Sequence, residues 1–264
     1  MDLSLQGKRA LVTGSTAGIG FAIARRLAAE GATVILTGRD PARLDRALAE
    51  LRERVPAAQV SGFAGDLTRA DTAAALTAAH PDVEVLINNL GSYGPQDFAA
   101  ISDEDWRRMI DINFTSGMRL ARFYLPRMLA ADAGRIQFIA SESAFDVPAE
   151  MIHYGVTKTM QVALARGLAK LCAGTGVTVN SLLPGPTYTE GVEEFIAAVA
   201  RERGIDAAAV EQGFFTETRP NSLLRRFISP DEVAAFSVYL ASPLADATNG
   251  AAFRCDGGII NSLA

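Results

Sequence analysis

Seven short apolar runs recur along this 264-residue chain, each separated from the next by enough residues for at least one helix. They fall at 10–12, 33–37, 59–63, 83–88, 135–140, 177–182 and 250–254. Runs this short, and partly β-branched, have the character of strands buried on both faces. Strands joined through helices return parallel to one another by right-handed crossovers. The expected architecture is therefore α/β: a three-layer, doubly wound parallel sheet of about seven strands with helices on both faces.

The intervening segments carry helix punctuation. Helical periodicity from about Ile19 to Glu30 ends at Gly31, a natural C-cap, and Asp40-Pro41 supplies an N-cap and a first-turn proline for a helix to about Arg54. Further helices are expected near 69–79, over 103–131 with a bend near Gly117 and Pro126, over 149–173, and from Pro230 to Leu240. Between Pro184 and about Ser229 the alternation gives way to two short helices rich in Glu, Ala and Phe. With no repeat and no linker, residues 1–264 read as a single domain carrying a substrate lid at about 186–229.

Composition removes several classes of function. A hydrophobic fraction of 49 %, a charged fraction of 21 % and a net charge of −5 describe a globular chain without the basic footprint of a nucleic-acid binder. No stretch has the length and apolarity of a membrane span, and the N-terminus lacks a signal peptide's basic start, so a cytoplasmic location is expected. Two cysteines (Cys172, Cys255) leave no metal-spaced cluster, and with His80 and His153 the only histidines neither a zinc site nor a Ser–His–Asp triad is expected. No metal is expected.

Two stretches carry chemistry. Thr13-Gly14-Ser15-Thr16-Ala17-Gly18-Ile19-Gly20 lies between the first strand and the first helix. Glycines there let the backbone approach a pyrophosphate, which would bind the free N–H groups at the helix start, although a tight structural turn would use the same residues. At the end of the second strand, Gly38-Arg39-Asp40 bears on the nucleotide's ribose. With Asp40 occupied as an N-cap, Arg39 is left to meet a 2′-phosphate, which favours NADP(H) over NAD(H).

The second stretch is Arg135–Lys170. The fifth strand stops at Ser141, and the following helical pattern places Tyr154 and Lys158 four residues apart on one face. A neighbouring ammonium would favour the phenolate and lower the Tyr154 pKa, while the Ser141 hydroxyl at the strand end could hold a carbonyl or alcohol oxygen. By itself the Tyr–Lys pair equally suits an amphipathic helix with a half-buried tyrosine and a solvated lysine. His153 points about 100° away from Tyr154 and reads as packing. Glu142, next to Ser141, receives no role.

Taken together, Thr13-Gly-x3-Gly18-Ile-Gly20, Asn88-Asn89-Leu90-Gly91, Asn113, Ser141, Tyr154-x3-Lys158 and Pro184-Gly185 resemble the short-chain dehydrogenase/reductase family, over nearly the full length and in family order. The resemblance extends to its 3-oxoacyl-[acyl-carrier-protein] reductase-like members. It implies a Rossmann fold and reversible hydride transfer between a nicotinamide and a carbonyl or secondary alcohol. Tyr154 would be the acid/base, Ser141 would orient the substrate oxygen, and Lys158 would hold the nicotinamide ribose. Asn113 would hold a water that links Lys158 to solvent. The cofactor would lie against Gly14, Ser15, Thr16, Gly18, Ile19, Gly20, Arg39, Asp66, Leu67, Asn89, Gly91, Pro184, Gly185, Thr187 and Thr189, besides Tyr154 and Lys158. Ser143, Phe145, Pro148, Met151, Tyr188, Phe214 and Phe215 would line an apolar substrate pocket. A homotetramer or homodimer is the usual assembly in such a family. A catalytically silent nucleotide sensor or scaffold of the same fold is the alternative reading, although all four tetrad residues are present.

Overall fold

The parallel sheet is built by crossovers that alternate between its two faces. The computed structural model describes residues 2–263. Its elements are β1 (Arg9–Val12), α1 (Gly18–Ala29), β2 (Thr33–Gly38), α2 (Pro41–Arg54), β3 (Gln59–Ala64), α3 (Ala70–Ala79), β4 (Val85–Asn88), α4 (Asp103–Ile110), α5 (Ser116–Ala130), β5 (Gly134–Ile139), α6 (Ile152–Leu171), β6 (Val177–Pro184), α7 (Glu190–Arg203), α8 (Ala207–Gly213), α9 (Pro230–Ala241) and β7 (Ala252–Cys255). All pairings are parallel, in the order β3-β2-β1-β4-β5-β6-β7. The winding reverses between β1 and β4, so a crevice opens at the C-terminal ends of those strands.

Each face has its own core. On one side Leu27 of α1, Leu51 of α2 and Val233 of α9 pack on Val12, Val34 and Ile87. On the other, Leu76 of α3, Tyr124 of α5 and Ala169 of α6 pack on Leu11, Leu86 and Phe138. Complete burial of a leucine such as Leu27 or Leu51 contributes about 2 kcal/mol. Removing such a side chain would loosen a helix from the sheet edge that holds the site.

The long helix expected over 103–131 runs unbroken through a π-helical turn that joins α4 to α5. The irregular turn lies at Asp111–Thr115, just before Gly117, and Pro126 is accommodated inside α5. Its physical origin is competition for carbonyls. The Gln161 side-chain amide donates to the Asn113 carbonyl, and the Ser116 hydroxyl donates to the Ile112 carbonyl at 2.6 Å.

The segment after β6 forms a small satellite with its own apolar centre. Phe214 stacks on Phe227 with ring centroids 5.0 Å apart, Phe215 meets the same ring edge-on, and Tyr188 packs against it from the other side at 5.8 Å. Ile196 and Val210 complete the cluster. Among the described residues no helix is long and apolar enough to cross a membrane, and no group of three His, Cys, Asp or Glu side chains is placed to hold a metal ion.

Candidate active site

The start of α1 is shaped for an anion. Gly14 and Gly18 adopt φ of +59° and +56°, values that side chains with a Cβ rarely take. A Cβ on Gly20 would collide with the Gly14 carbonyl and the Asn89 side chain. Ala17 at the N-cap offers no capping side chain, and the first turn holds no acid of its own. Instead, the Gly18 N–H donates to the Glu190 carboxylate at 3.4 Å, reached from the start of α7. A carboxylate seated there marks the anion preference of the helix start, which suits the pyrophosphate of a dinucleotide.

Other loop residues brace rather than project. The fully buried Ser15 hydroxyl donates to Val12 O at 2.8 Å and accepts from Thr37 N–H at 2.9 Å, tying the ends of β1 and β2. The Asn89 amide donates to the carbonyls of Thr13 and Gly14, each at 3.0 Å, so its side chain holds the glycine loop. Ile19 packs against the core. Thr16 lies beside Gly38, where a Cβ would come 2.5 Å from its methyl group.

At the end of β2 the Asp40 carboxylate accepts from Ala42 N–H at 2.8 Å and caps α2, as the Asp-Pro pair indicates. Arg39 is exposed, and among the described residues its guanidinium has no hydrogen-bonding or ionic partner. Asp66 accepts from the Thr68 hydroxyl at 2.8 Å and its N–H at 3.1 Å. Leu67 turns its side chain into the core, leaving only its backbone to face a ligand. Beyond β6, Gly185 passes so close to Asp256 that a Cβ would lie 2.6 Å from its carbonyl. The Thr187 hydroxyl donates to Gly185 O at 2.9 Å, and the Thr189 methyl lies over Gly18. Pro184 closes the buried β6 strand beside them.

The reacting end gathers around α6. The buried Lys158 ammonium donates to Ile139 O at 2.8 Å, where β5 ends, and stands 5.6 Å from the centre of the Tyr154 ring. Asn113 accepts from Ser92 N–H at 2.7 Å and donates to Ser92 O at 3.0 Å and Thr157 Oγ1 at 2.9 Å. Gly91 lies between the Lys158 ammonium and the Asn113 amide. A Cβ there would sit 3.5 Å from Lys158 Nζ and 3.6 Å from Asn113 Oδ1. His153 is buried edge-on against Trp106 at 6.0 Å, a packing role.

The electrostatics differ from the sequence expectation. Burial pushes the Tyr154 phenol up, the Glu142 charge adds to that rise, and the nearby Ser141 hydroxyl draws it partly back. Lys158 is not what sets it. Burial pushes Lys158 itself down to about 7, against a smaller upward pull from Glu142. A lysine desolvated in this way holds its proton weakly, so the protein alone keeps Tyr154 neutral.

Glu142, given no role from sequence, lies at the centre of the site. It is 5 % exposed, and its carboxylate accepts from the Ser141 hydroxyl while facing the Arg219 guanidinium at 3.8 Å. Arg219 in turn bonds Glu150 at 3.0 Å. These side chains line a cavity of about 250 Å³ together with Pro148 and Asn221. Of the seven residues expected to line a substrate pocket, Pro148 lines this cavity, which adjoins Ser141 through Glu142. Tyr188, Phe214 and Phe215 are drawn into the satellite core, because burial against Phe227 outweighs facing a cleft. Phe145 points outward at 53 % exposure, Met151 lies outside the cavity lining, and Ser143 is buried with its N–H donating to Ser141 Oγ at 3.2 Å. This cavity is lined mainly by polar and charged side chains. A buried acid beside a strand-end serine was the available signal, but adjacency alone did not give its direction.

The family model for short chain dehydrogenase matches residues 8–200. The chain belongs to that family. It is 45 % identical over 263 residues to the uncharacterized oxidoreductase YvaG of Bacillus subtilis (strain 168), covering 100 % of both chains. It is 36 % identical to a D-beta-hydroxybutyrate dehydrogenase of Cupriavidus necator, covering 96 % of this chain and 98 % of that one. L-sorbose reductase of Gluconobacter frateurii, solved with NADPH and L-sorbose, superposes with a TM-score of 0.93 at 30 % identity over 100 % of both chains. This short-chain dehydrogenase is an oxidoreductase that moves a hydride between NAD(P)(H) and a carbonyl or secondary alcohol.

Proposed function

We propose that Tyr154 is the acid and base of this oxidoreductase, with Ser141 orienting the substrate oxygen, Lys158 holding the nicotinamide ribose, and Asn113 supporting a proton path past Lys158. The observation that carries this reading is the convergence of the Ser141 hydroxyl, the Tyr154 phenol and the Lys158 ammonium just beyond the C-terminal end of β5. The nicotinamide supplies or accepts the hydride. In reduction, Tyr154 gives its proton to the oxygen of the carbonyl, while Ser141 holds that same oxygen. Both hydrogen bonds strengthen as negative charge gathers there, which lowers the barrier.

A phenol kept neutral by burial is ready as an acid. Reduction is therefore the direction that the resting protonation state favours near neutral pH. Oxidation needs Tyr154 to lose its proton first, so its rate should climb with pH through the alkaline range. A pH profile of kcat/KM for one ketone/alcohol pair, measured in both directions, tests this; an oxidation rate flat above neutrality would count against it.

NADP(H) is the favoured cofactor on this reading. Arg39 is unpartnered at the end of β2, Asp40 is committed to capping α2, and the solved neighbour was crystallised with NADPH. Substrates are small carbonyl/alcohol pairs, the class that holds both L-sorbose and D-beta-hydroxybutyrate in the names of the two similar proteins. The chain acts as one cytoplasmic domain in a homotetramer or homodimer, using α5, α6 and β7 as contact surfaces. Sedimentation at micromolar concentration tests the assembly, and a monomer would remove it.

A further inference from the structure

Glu142 lies directly beside the hydroxyl assigned to hold the substrate oxygen. Glu142 is hydrogen-bonded to the Ser141 hydroxyl, is nearly free of solvent contact, and lines the 250 Å³ cavity. Across that cavity stands Arg219, already held by Glu150 at 3.0 Å and facing Glu142 at 3.8 Å. Asp146 adds a third carboxylate to the lining, so three acids and one guanidinium share the cavity wall. Burial raises the Glu142 pKa, so Asp146 and Glu150 contribute most to repelling a carboxylate or phosphate, and Arg219, already paired, offers it no free cation. The wall accepts hydrogen bonds from hydroxyl groups.

The spacing specifies which hydroxyl. In the ligand-free chain the single Ser141 proton is donated to Glu142; holding the reacting oxygen, about 2.7 Å away, turns that proton to the substrate and leaves the Glu142 carboxylate in need of another donor. Two oxygens on adjacent carbons can be spaced by about the same amount, so they can address Ser141 and Glu142 together. Resting on Tyr154 and Ser141 as the reacting pair, we propose that this cavity takes a neutral polyhydroxylated chain and that Glu142 accepts a hydrogen bond from the hydroxyl on the carbon beside the reacting carbonyl. Glu142 thereby sets specificity for hydroxyketones and ketoses over oxo acids and plain ketones. An anchored carboxylate discriminates well, because a substrate without the hydroxyl leaves it buried with one fewer partner.

Four ketones on one four-carbon skeleton test this with NADPH: 2-butanone, 1-hydroxy-2-butanone, erythrulose and acetoacetate. The wild-type chain is expected to favour 1-hydroxy-2-butanone and erythrulose over 2-butanone by about tenfold or more in kcat/KM, with acetoacetate lowest. In Glu142→Gln the hydroxyl preference, read as the ratio of 1-hydroxy-2-butanone to 2-butanone, should fall about tenfold. In Glu150→Gln, which releases Arg219, the acetoacetate rate should rise relative to that of 1-hydroxy-2-butanone. Acetoacetate as the preferred wild-type substrate, or an unchanged hydroxyl ratio in Glu142→Gln, would overturn the inference. The wild-type ratios decide the matter even if Glu142→Gln does not fold. Failure of the underlying reading shows separately, as ketone reduction that survives Tyr154→Phe undiminished.

Discussion

The Lys158 ammonium donates to the carbonyl of Ile139 at 2.8 Å, which pins the helix carrying Tyr154 to the end of β5. Every catalytic proposal depends on that tie, because it fixes the lateral position of the tyrosine relative to Ser141, two residues beyond Ile139. The tie also has a cost in folding. Lys158 is buried, and burial lowers its pKa from 10.5 to about 7.

A consequence for stability follows from that depressed pKa. Between about 7 and 10.5 the unfolded lysine carries a proton that the folded one has released. The unfolded state then binds more protons, so this residue's contribution to stability rises with pH across that window. In nucleotide-free protein, Lys158→Met should raise Tm most at pH 7 and below, with the gain shrinking as pH approaches 10.5. Thermal melts of both proteins across pH 6 to 10 would check it. A gain that grows with pH would contradict the assignment.

Glu190 holds the Gly18 amide at 3.4 Å, at the place where a pyrophosphate belongs. A bound dinucleotide must displace that carboxylate and then tolerate its charge. Glu190→Gln is accordingly expected to tighten NADPH binding by about threefold to tenfold at low salt, less as salt is raised. Fluorescence titration of NADPH would read this directly. Unchanged or weaker binding would mean that Glu190 swings clear without penalty.

Arg39 should carry the preference for the phosphorylated cofactor. Adding a side chain at Gly38 is a poor test, because its Cβ would come 2.5 Å from the Thr16 methyl. Arg39→Ala is cleaner, since the guanidinium has no other described partner. Its kcat/KM for NADPH should fall about tenfold or more, with NADH little affected. Equal losses with both cofactors would remove Arg39 from 2′-phosphate recognition.

Much of the frame was legible because each signal was local. Asp40-Pro41 announced the start of α2, and Gly31 marked the end of α1 with φ of +80°. The buried strands stood out as apolar runs. What escaped depended on contacts between distant segments. The π-helical turn at Asp111–Thr115 exists because Gln161, on α6, reaches the Asn113 carbonyl. Phe214 and Phe215 were expected in a substrate lid, but Phe227, from beyond them in the chain, draws them into a core of their own. Glu142 was invisible as a site residue because its direction depends on Arg219, far along the chain and folded back over it. The rise in the Tyr154 pKa followed for the same reason, since burial and Glu142 act on it more than Lys158 does.

The most direct test of the account is the rate of hydride transfer in Tyr154→Phe, followed by stopped-flow absorbance of NADPH with saturating ketone. The substitution removes one oxygen and leaves the ring that packs edge-on against Tyr93 at 6.2 Å. The account predicts a transfer rate at least ~100-fold lower, with NADPH affinity nearly unchanged. A rate close to that of the unaltered chain would contradict it.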